Sequence, residues 1–285
     1  MFVNVNGAKL YFDVEGASLV ADGARMRAKP TLVLLHGGPS ADHSIFKPAF
    51  SVLADVAQIV YVDHRGCGRS ADTGASTWNL AQWGDDVRGL CDALGVEKPI
   101  VYGASFGGLV AQSYATRHPD HPGKLVLAST SAKVDFPAIF AAFERIGGAD
   151  ARGVAEAYWL NPTTESRAEY FEVCLPLYRS RQSGRPDWLG RAIVNNEVGL
   201  WFNGPNNEQG RMDYRAELSR IRCPALVLAG DRDPIMPVAF SETIAACLPG
   251  HLVRFERFAG CGHGVVPDAP ERAFQVIREF IAASP

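Results

Sequence analysis

The chain opens with alternating apolar and polar positions. "MFVNV", an Asn6-Gly7 pair and "AKLYFDV" read as a two-stranded hairpin, because alternation at period two gives each strand one buried face. The polar stretch "GASLVADGARMRAKP" (16–30) that follows shows no such alternation and is expected to be a connecting loop. The pattern then changes. "TLVLLHGG" (31–38) and "AQIVYVDHRG" (57–66) are nearly continuous apolar runs, as expected of parallel strands covered on both faces. Between them, "FKPAFSVLADV" fits a helix.

Apolar residues at helical spacing recur in "WNLAQWGDDVRGLCDALGV" (78–96), which Gly95 ends. "PIVYG" reads as another buried strand, "FGGLVAQSYATRHP" as a helix stopping before Pro119, and "GKLVLAST" (123–130) as a strand. This β-α-β-α-β succession predicts a mostly parallel sheet with right-handed crossovers. Residues 134–215 break the rhythm: they are rich in Arg, Glu, Trp and Tyr, with helix-like stretches and no convincing buried strand. Alternation resumes with the strand "CPALVLAGDRDP" (223–234), the helix "VAFSETIAACLPG", the strand "HLVRFERFAG" (251–260) and the helix "PERAFQVIREFIAAS". The expected organisation is an α/β core of residues 1–133 and 216–285, carrying a helical cap of residues 134–215.

Composition narrows the classes. With 285 residues, 47% of them hydrophobic, the chain can bury a sizeable core without disulfides or metals. The net charge is -3 and no basic stripe appears, which argues against nucleic acid or an anionic membrane as partner. The amino terminus lacks the basic and apolar regions of a signal peptide, and no run is long enough to cross a bilayer. The six cysteines show neither C-x-x-C nor zinc-type spacing with histidine, so free thiols, no metal and a cytoplasmic location are expected.

The chemistry centres on "IVYGASFGGL" (100–109), where Gly103-Ala104-Ser105-Phe106-Gly107 is the one G-x-S-x-G in the chain. Small residues on either side let a serine stand on a sharp strand-to-helix turn, with the following helix aiming N–H groups at the reaction centre. A serine hydroxyl is a weak nucleophile and needs a base and an orienting acid. Of seven histidines, His263 in "AGCGHGVVPDAP" is the one in a glycine-rich loop between a late strand and the last helix. The acid should end the strand "PALVLAG": Asp233 is preferred over Asp231 because it lies before Pro234, where the loop turns back. Oxyanion donors are expected from the backbone of Phe106 and of Gly38 in "LLHGGPS". A rival cluster, Gly66-x-Gly68-x-x-Ala71 after the second apolar run, superficially meets a dinucleotide fingerprint. The turn-like "DTGASTWN" that follows offers no helix to cradle a pyrophosphate, so no cofactor is expected.

Taken together, "HGGPS" (36–40), "DHRGCGRS" (63–70), "GASFGG" (103–108), "GDRD" (230–233) and "CGH" (261–263) resemble the α/β-hydrolase superfamily, and within it the proline iminopeptidases. The likeness runs through nearly the whole chain and implies Ser105 as nucleophile, His263 and Asp233 as its partners, and Gly38 and Phe106 as oxyanion donors. It further implies a helical cap, and "NGPNNE" (203–208) looks like the segment that presents acid to a substrate's free amino terminus. Glu208, with Glu197, would be that acid; Trp159, Trp188 and Trp201 are candidates for an apolar pocket wall. Four positions depart from the family's motifs. Ser40 stands where H-G-G-P-G is usual, G-A-S-F-G replaces G-G-S-W-G, and Pro234 occupies a position where some relatives carry glutamate. The expected activity is serine hydrolysis of a small amide or short peptide with a free amino-terminal residue. An esterase or lactonase on the same scaffold is the alternative, and a non-catalytic binding protein the rival of another class.

Overall fold

The computed structural model describes residues 1–180 and 187–283. β1 (Phe2–Val5) and β2 (Ala8–Glu15) form the expected hairpin, turning through Asn6 and Gly7, both at positive φ as a two-residue hairpin loop requires. Residues 16–30 depart from expectation. They form a second hairpin, β3 (Leu19–Asp22) and β4 (Arg25–Ala28), nearly all of it exposed. With neither face buried, selection leaves no period-two signature to read. β5 (Thr31–Leu35) and β6 (Gln58–Val62) follow as buried strands. The stretch between them forms two 3-10 turns, His43–Phe46 and Ala49–Leu53, instead of a helix. Pro48 separates them, lacking the N–H that a continuous helix would need.

α1 (Leu80–Ala93) starts at Asn79, whose side chain accepts the Gln82 N–H. β7 (Ile100–Ala104), α2 (Phe106–Arg117) and β8 (Lys124–Ala128) come next, each where its apolar run predicts. α3 (Phe136–Leu160), interrupted at Gly148 (φ 80°), α4 (Thr164–Val173), α5 (Asp187–Arg191), α6 (Asn196–Phe202) and α7 (Glu208–Arg211) occupy the stretch up to β9 (Ala225–Gly230). α8 (Val238–Cys247), β10 (Val253–Phe258), α9 (Val265–Asp268) and α10 (Pro270–Ala282) complete the chain.

The eight-stranded sheet has the order β1-β2-β6-β5-β7-β8-β9-β10. Its six strands from β6 to β10 are mutually parallel, and β1 and β2 run antiparallel at one edge. Both faces of the parallel part are covered. On β5, Val33 and Leu35 join α1 and α2 in one core, while Leu32 and Leu34 join α10 in the other. That is why these runs are apolar throughout. A third core, built on Ile139, Phe143, Tyr158 and Tyr170, seats the helices between β8 and β9 on Ile235, Met236 and Phe240. Among the described residues, no helix is long and apolar enough to cross a membrane.

Candidate active site

β7 ends at Ala104 and α2 begins at Phe106, so Ser105 alone makes the turn. It sits at φ 52°, ψ −118°, a left-handed backbone that costs a non-glycine residue about 1–3 kcal/mol. Neighbours hold it there. Its N–H donates to the Ala128 carbonyl (2.8 Å), and its carbonyl accepts the Gly108 N–H (2.9 Å). The flanking glycines are steric necessities. A Cβ at Gly103 would overlap the Gly107 carbonyl, and one at Gly107 would overlap the Leu35 carbonyl. At Gly37 it would come within 3.0 Å of the Ser105 Cβ. The elbow thus exists because β5, β7 and α2 meet without side chains between them.

β9 and β10 bring the other two groups to this edge. Asp233 is buried; its Oδ1 accepts the N–H groups of Ile235 (2.9 Å) and Met236 (2.8 Å). Its Oδ2 accepts from Nδ1 of His263 at 2.8 Å, which leaves Nε2 as the other ring nitrogen. Asp231 is exposed and instead accepts the Gly260 N–H (2.8 Å). The His263 loop is braced by groups the sequence did not single out. Its N–H donates to the Tyr178 carbonyl (2.6 Å), the Tyr178 ring packs edge-on at 5.0 Å, and Asp268 accepts the Gly262 N–H (2.7 Å). Tyr178 lies 85 positions from His263 in the chain, so no local pattern links them.

Ser105, His263, Gly38 and Phe106 all line one cavity of about 530 Å³, a size suited to a small ligand. Gly38 has φ 56°, and the N–H of Phe106, in the first turn of α2, has no acceptor within its own helix. Behind this loop, His36 and His64 are fully buried. The His64 N–H donates to Nε2 of His36 (3.1 Å), which therefore carries no proton. Burial pushes both imidazoles below the ordinary histidine range, outweighing the attraction of Asp63; for His64 the His36 charge adds to the push. A depressed histidine leaves the unfolded chain binding more protons below pH 6.5. Stability should be complete above that pH and decline beneath it, no more steeply than ~2.7 kcal/mol per pH unit for two protons. Urea midpoints at pH 7.5 and 5.5 would show it, and His64→Gln should flatten the difference.

The glycines of the rival cluster serve the protein's own packing. A Cβ on Gly66 would press on the Trp78 indole, and one on Gly68 would overlap the Asp63 carboxylate. Asp42, His43 and Asp63 cluster nearby, engaged with one another and with Arg69: His43 Nδ1 donates to Asp63 (2.6 Å) and the Arg69 N–H to its other oxygen (2.9 Å).

The substrate-binding expectations fare differently. Glu208 does not line the cavity: its Oε1 accepts the Leu80 N–H (3.0 Å) at the start of α1, where a carboxylate complements the helix dipole. Glu197 is exposed in the first turn of α6. Trp201 is 47% exposed and donates to the Trp78 carbonyl (2.9 Å), outside the cavity wall. Trp159 does line it, while the Trp188 side chain falls outside the described residues. The segment 203–208 reaches the cavity through Asn203, and Gln209 follows it there. The amide oxygens of both are buried with no partner among the described residues. Arg167 of α4 is a further wall residue, almost fully buried; nothing in a sequence reading separates it from the surface arginines around it.

Residues 30–270 match the family model for the alpha/beta hydrolase fold, and the chain belongs to that family. It is 29% identical over 273 residues to a candidate carbamate hydrolase, RutD, of Caulobacter sp. (strain K31), covering 87% of this chain and 94% of that one. With the proline iminopeptidase PfmaB of Pestalotiopsis fici it shares 30% identity over 266 residues, 86% of each chain. A thermophilic esterase from Thermogutta terrifontis, solved with malate bound, superimposes with a TM-score of 0.72 at 27% identity, over 99% of this chain and 98% of that one.

Proposed function

We propose that the protein is a serine hydrolase acting through an acyl-enzyme on a small carboxylic ester or lactone, with residues 134–215 as a cap over the pocket. Ser105 Oγ attacks the carbonyl carbon while His263 Nε2 takes its proton. Asp233 holds the imidazole with Nδ1–H donated, which keeps Nε2 free to act as base. The oxyanion is received by the N–H groups of Gly38 and Phe106. Nε2 then returns the proton to the departing alkoxide, leaving Ser105 acylated. Water, deprotonated by the same nitrogen, attacks the acyl carbon, and collapse of the second tetrahedral intermediate regenerates the serine and releases a carboxylic acid.

One observation carries the choice of ester or lactone over an amino-terminal peptide. Among the described residues the cavity wall holds no Asp or Glu, and Glu208 is committed to α1. A substrate ammonium would lose its hydration there with no carboxylate in return. The second reading, iminopeptidase-like release of an amino-terminal residue, is favoured by the 30%-identical relative of that name.

The test offers 4-nitrophenyl valerate and proline 4-nitroanilide to the same enzyme, after a fluorophosphonate probe has reported on Ser105. Labelling with turnover of the ester at least 100-fold above the anilide is the expected result. Preference for the anilide would reverse the substrate assignment, and absence of label would end the serine-hydrolase reading in favour of a binding protein.

A further inference from the structure

We propose that Arg167 receives a carboxylate of the substrate, so that the preferred ester or lactone is anionic, with its charge a few bonds from the scissile carbonyl. This rests on the serine-hydrolase reading above and deepens it.

Arg167 is 8% exposed and lines the same cavity as Ser105. Its partners are neutral. Nη1 donates to Asn196 Oδ1 (2.6 Å) and Nη2 to Ser40 Oγ (2.8 Å), and the buried Tyr158 hydroxyl lies within reach of its charge. Among the described residues no carboxylate pairs with it. A buried cation that lacks a counter-charge is costly, and chains usually pair it. The other buried arginine, Arg65, follows that rule through two bonds to Asp86 (2.7 and 2.8 Å). Of the other wall cations, Lys47 pairs with Asp13 and Arg191 binds the carbonyls of Ser44 and Lys47, while Arg179 is only half-buried.

The guanidinium has five N–H donors in a planar fork; Asn196, Ser40 and the Tyr158 hydroxyl engage three and one face stacks over the Phe171 ring (4.2 Å), which leaves two donors for a ligand. A carboxylate is the group that matches this fork with both charge and shape. The surroundings are built around it. Ser40, the residue that departs from the usual H-G-G-P-G, fixes one arm. At Gly199 a Cβ would press to 3.2 Å from the Ser40 Cβ and 3.5 Å from Arg167 Nε, so the glycine leaves the head group room. Ser40 also belongs to the loop carrying Gly38. It lies three positions after Gly37, which abuts Ser105, so its Cα is within ~11 Å of that of Gly37. A carboxylate on Arg167 therefore suits a short half-ester or a small carboxylated lactone.

The obvious alternative is that Arg167 merely braces α4 against the Ser40 loop. The two roles separate in a selectivity ratio. 4-Nitrophenyl hemiglutarate and 4-nitrophenyl valerate have five-carbon acyl chains differing in the terminal carboxylate. Wild-type kcat/KM should favour the hemiglutarate at least tenfold, and Arg167→Met should lower that preference at least tenfold, chiefly through KM. Arg167→Lys should fall between. Both esters report on the same active sites, so the ratio does not depend on how much of a variant folds. Should Arg167→Met yield no soluble protein, glutarate must still inhibit valerate turnover by the wild type competitively, where 1,5-pentanediol does not. A wild-type preference near unity, a ratio unmoved by both substitutions, or no inhibition by glutarate would overturn the proposal while leaving valerate hydrolysis intact. If neither ester turns over and Ser105 takes no fluorophosphonate, it is the hydrolase reading that falls, and this inference with it.

Discussion

Ser105→Ala is expected to lower kcat on 4-nitrophenyl valerate by about 10⁴- to 10⁶-fold and to abolish fluorophosphonate labelling, with the melting temperature unchanged. The size follows from the chemistry. Without Oγ there is no acyl-enzyme, and the remaining rate comes from water attacking a carbonyl polarised by the Gly38 and Phe106 N–H groups. The fold should survive because alanine keeps the same Cβ. The strained backbone at φ 52° and its bonds to Ala128 and Gly108 are made by main-chain atoms that the substitution does not touch. Stopped assays on purified variant, with a thermal melt alongside, suffice. A variant retaining more than a hundredth of wild-type activity would mean that some other group is the nucleophile.

Asp233→Asn should cost about 10⁴-fold in kcat, and the reason is tautomeric. Oδ1 of Asp233 accepts two backbone N–H groups, from Ile235 and Met236. An asparagine must keep its oxygen there or leave buried donors unpaired, which turns its NH₂ toward Nδ1 of His263. Nδ1 then has to accept, the ring proton moves to Nε2, and that nitrogen has no lone pair with which to take the serine proton. The isosteric change should leave the urea midpoint close to that of the wild type. A loss of less than tenfold would show that another group orients the base. Asp231 is poorly placed for that, being exposed and bound to the Gly260 N–H.

What could be read in advance depended on how local the cause was. The parallel strands were legible because strands covered on both faces have nowhere for polar side chains, and β5 through β9 are buried almost throughout. The elbow was legible because its G-x-S-x-G pattern is complete within five residues, with Gly103 set directly against Gly107. The 3-10 turns around Pro48 and the exposed β3–β4 hairpin were missed for the opposite reasons. An apolar spacing consistent with helix was cut by a missing N–H, and a strand pair without a core side carried no pattern. His263 and Asp233 emerged from their places after late strands, and the structure joins them at 2.8 Å. Of the residues expected in the pocket, Trp159 lines it, but Glu208 and Trp201 do not, because they lie in helices whose orientation only packing fixes. Glu208 turned to α1 and Trp201 to Trp78, while Gln209 and Arg167 turned inward.

By itself, then, the sequence determined the α/β layering and the strand-to-helix turn at Ser105. Both arise from burial periodicity or backbone sterics legible in short runs of residues. Only the tertiary structure decided the character of the pocket: that its wall holds arginine rather than carboxylate among the described residues, and that Ser40, Arg167 and Gly199 meet. Those contacts span up to 159 positions of chain, and the helices that make them are each short. Which face such a helix turns inward is set by the core it packs on, a quantity that no window of neighbouring residues contains.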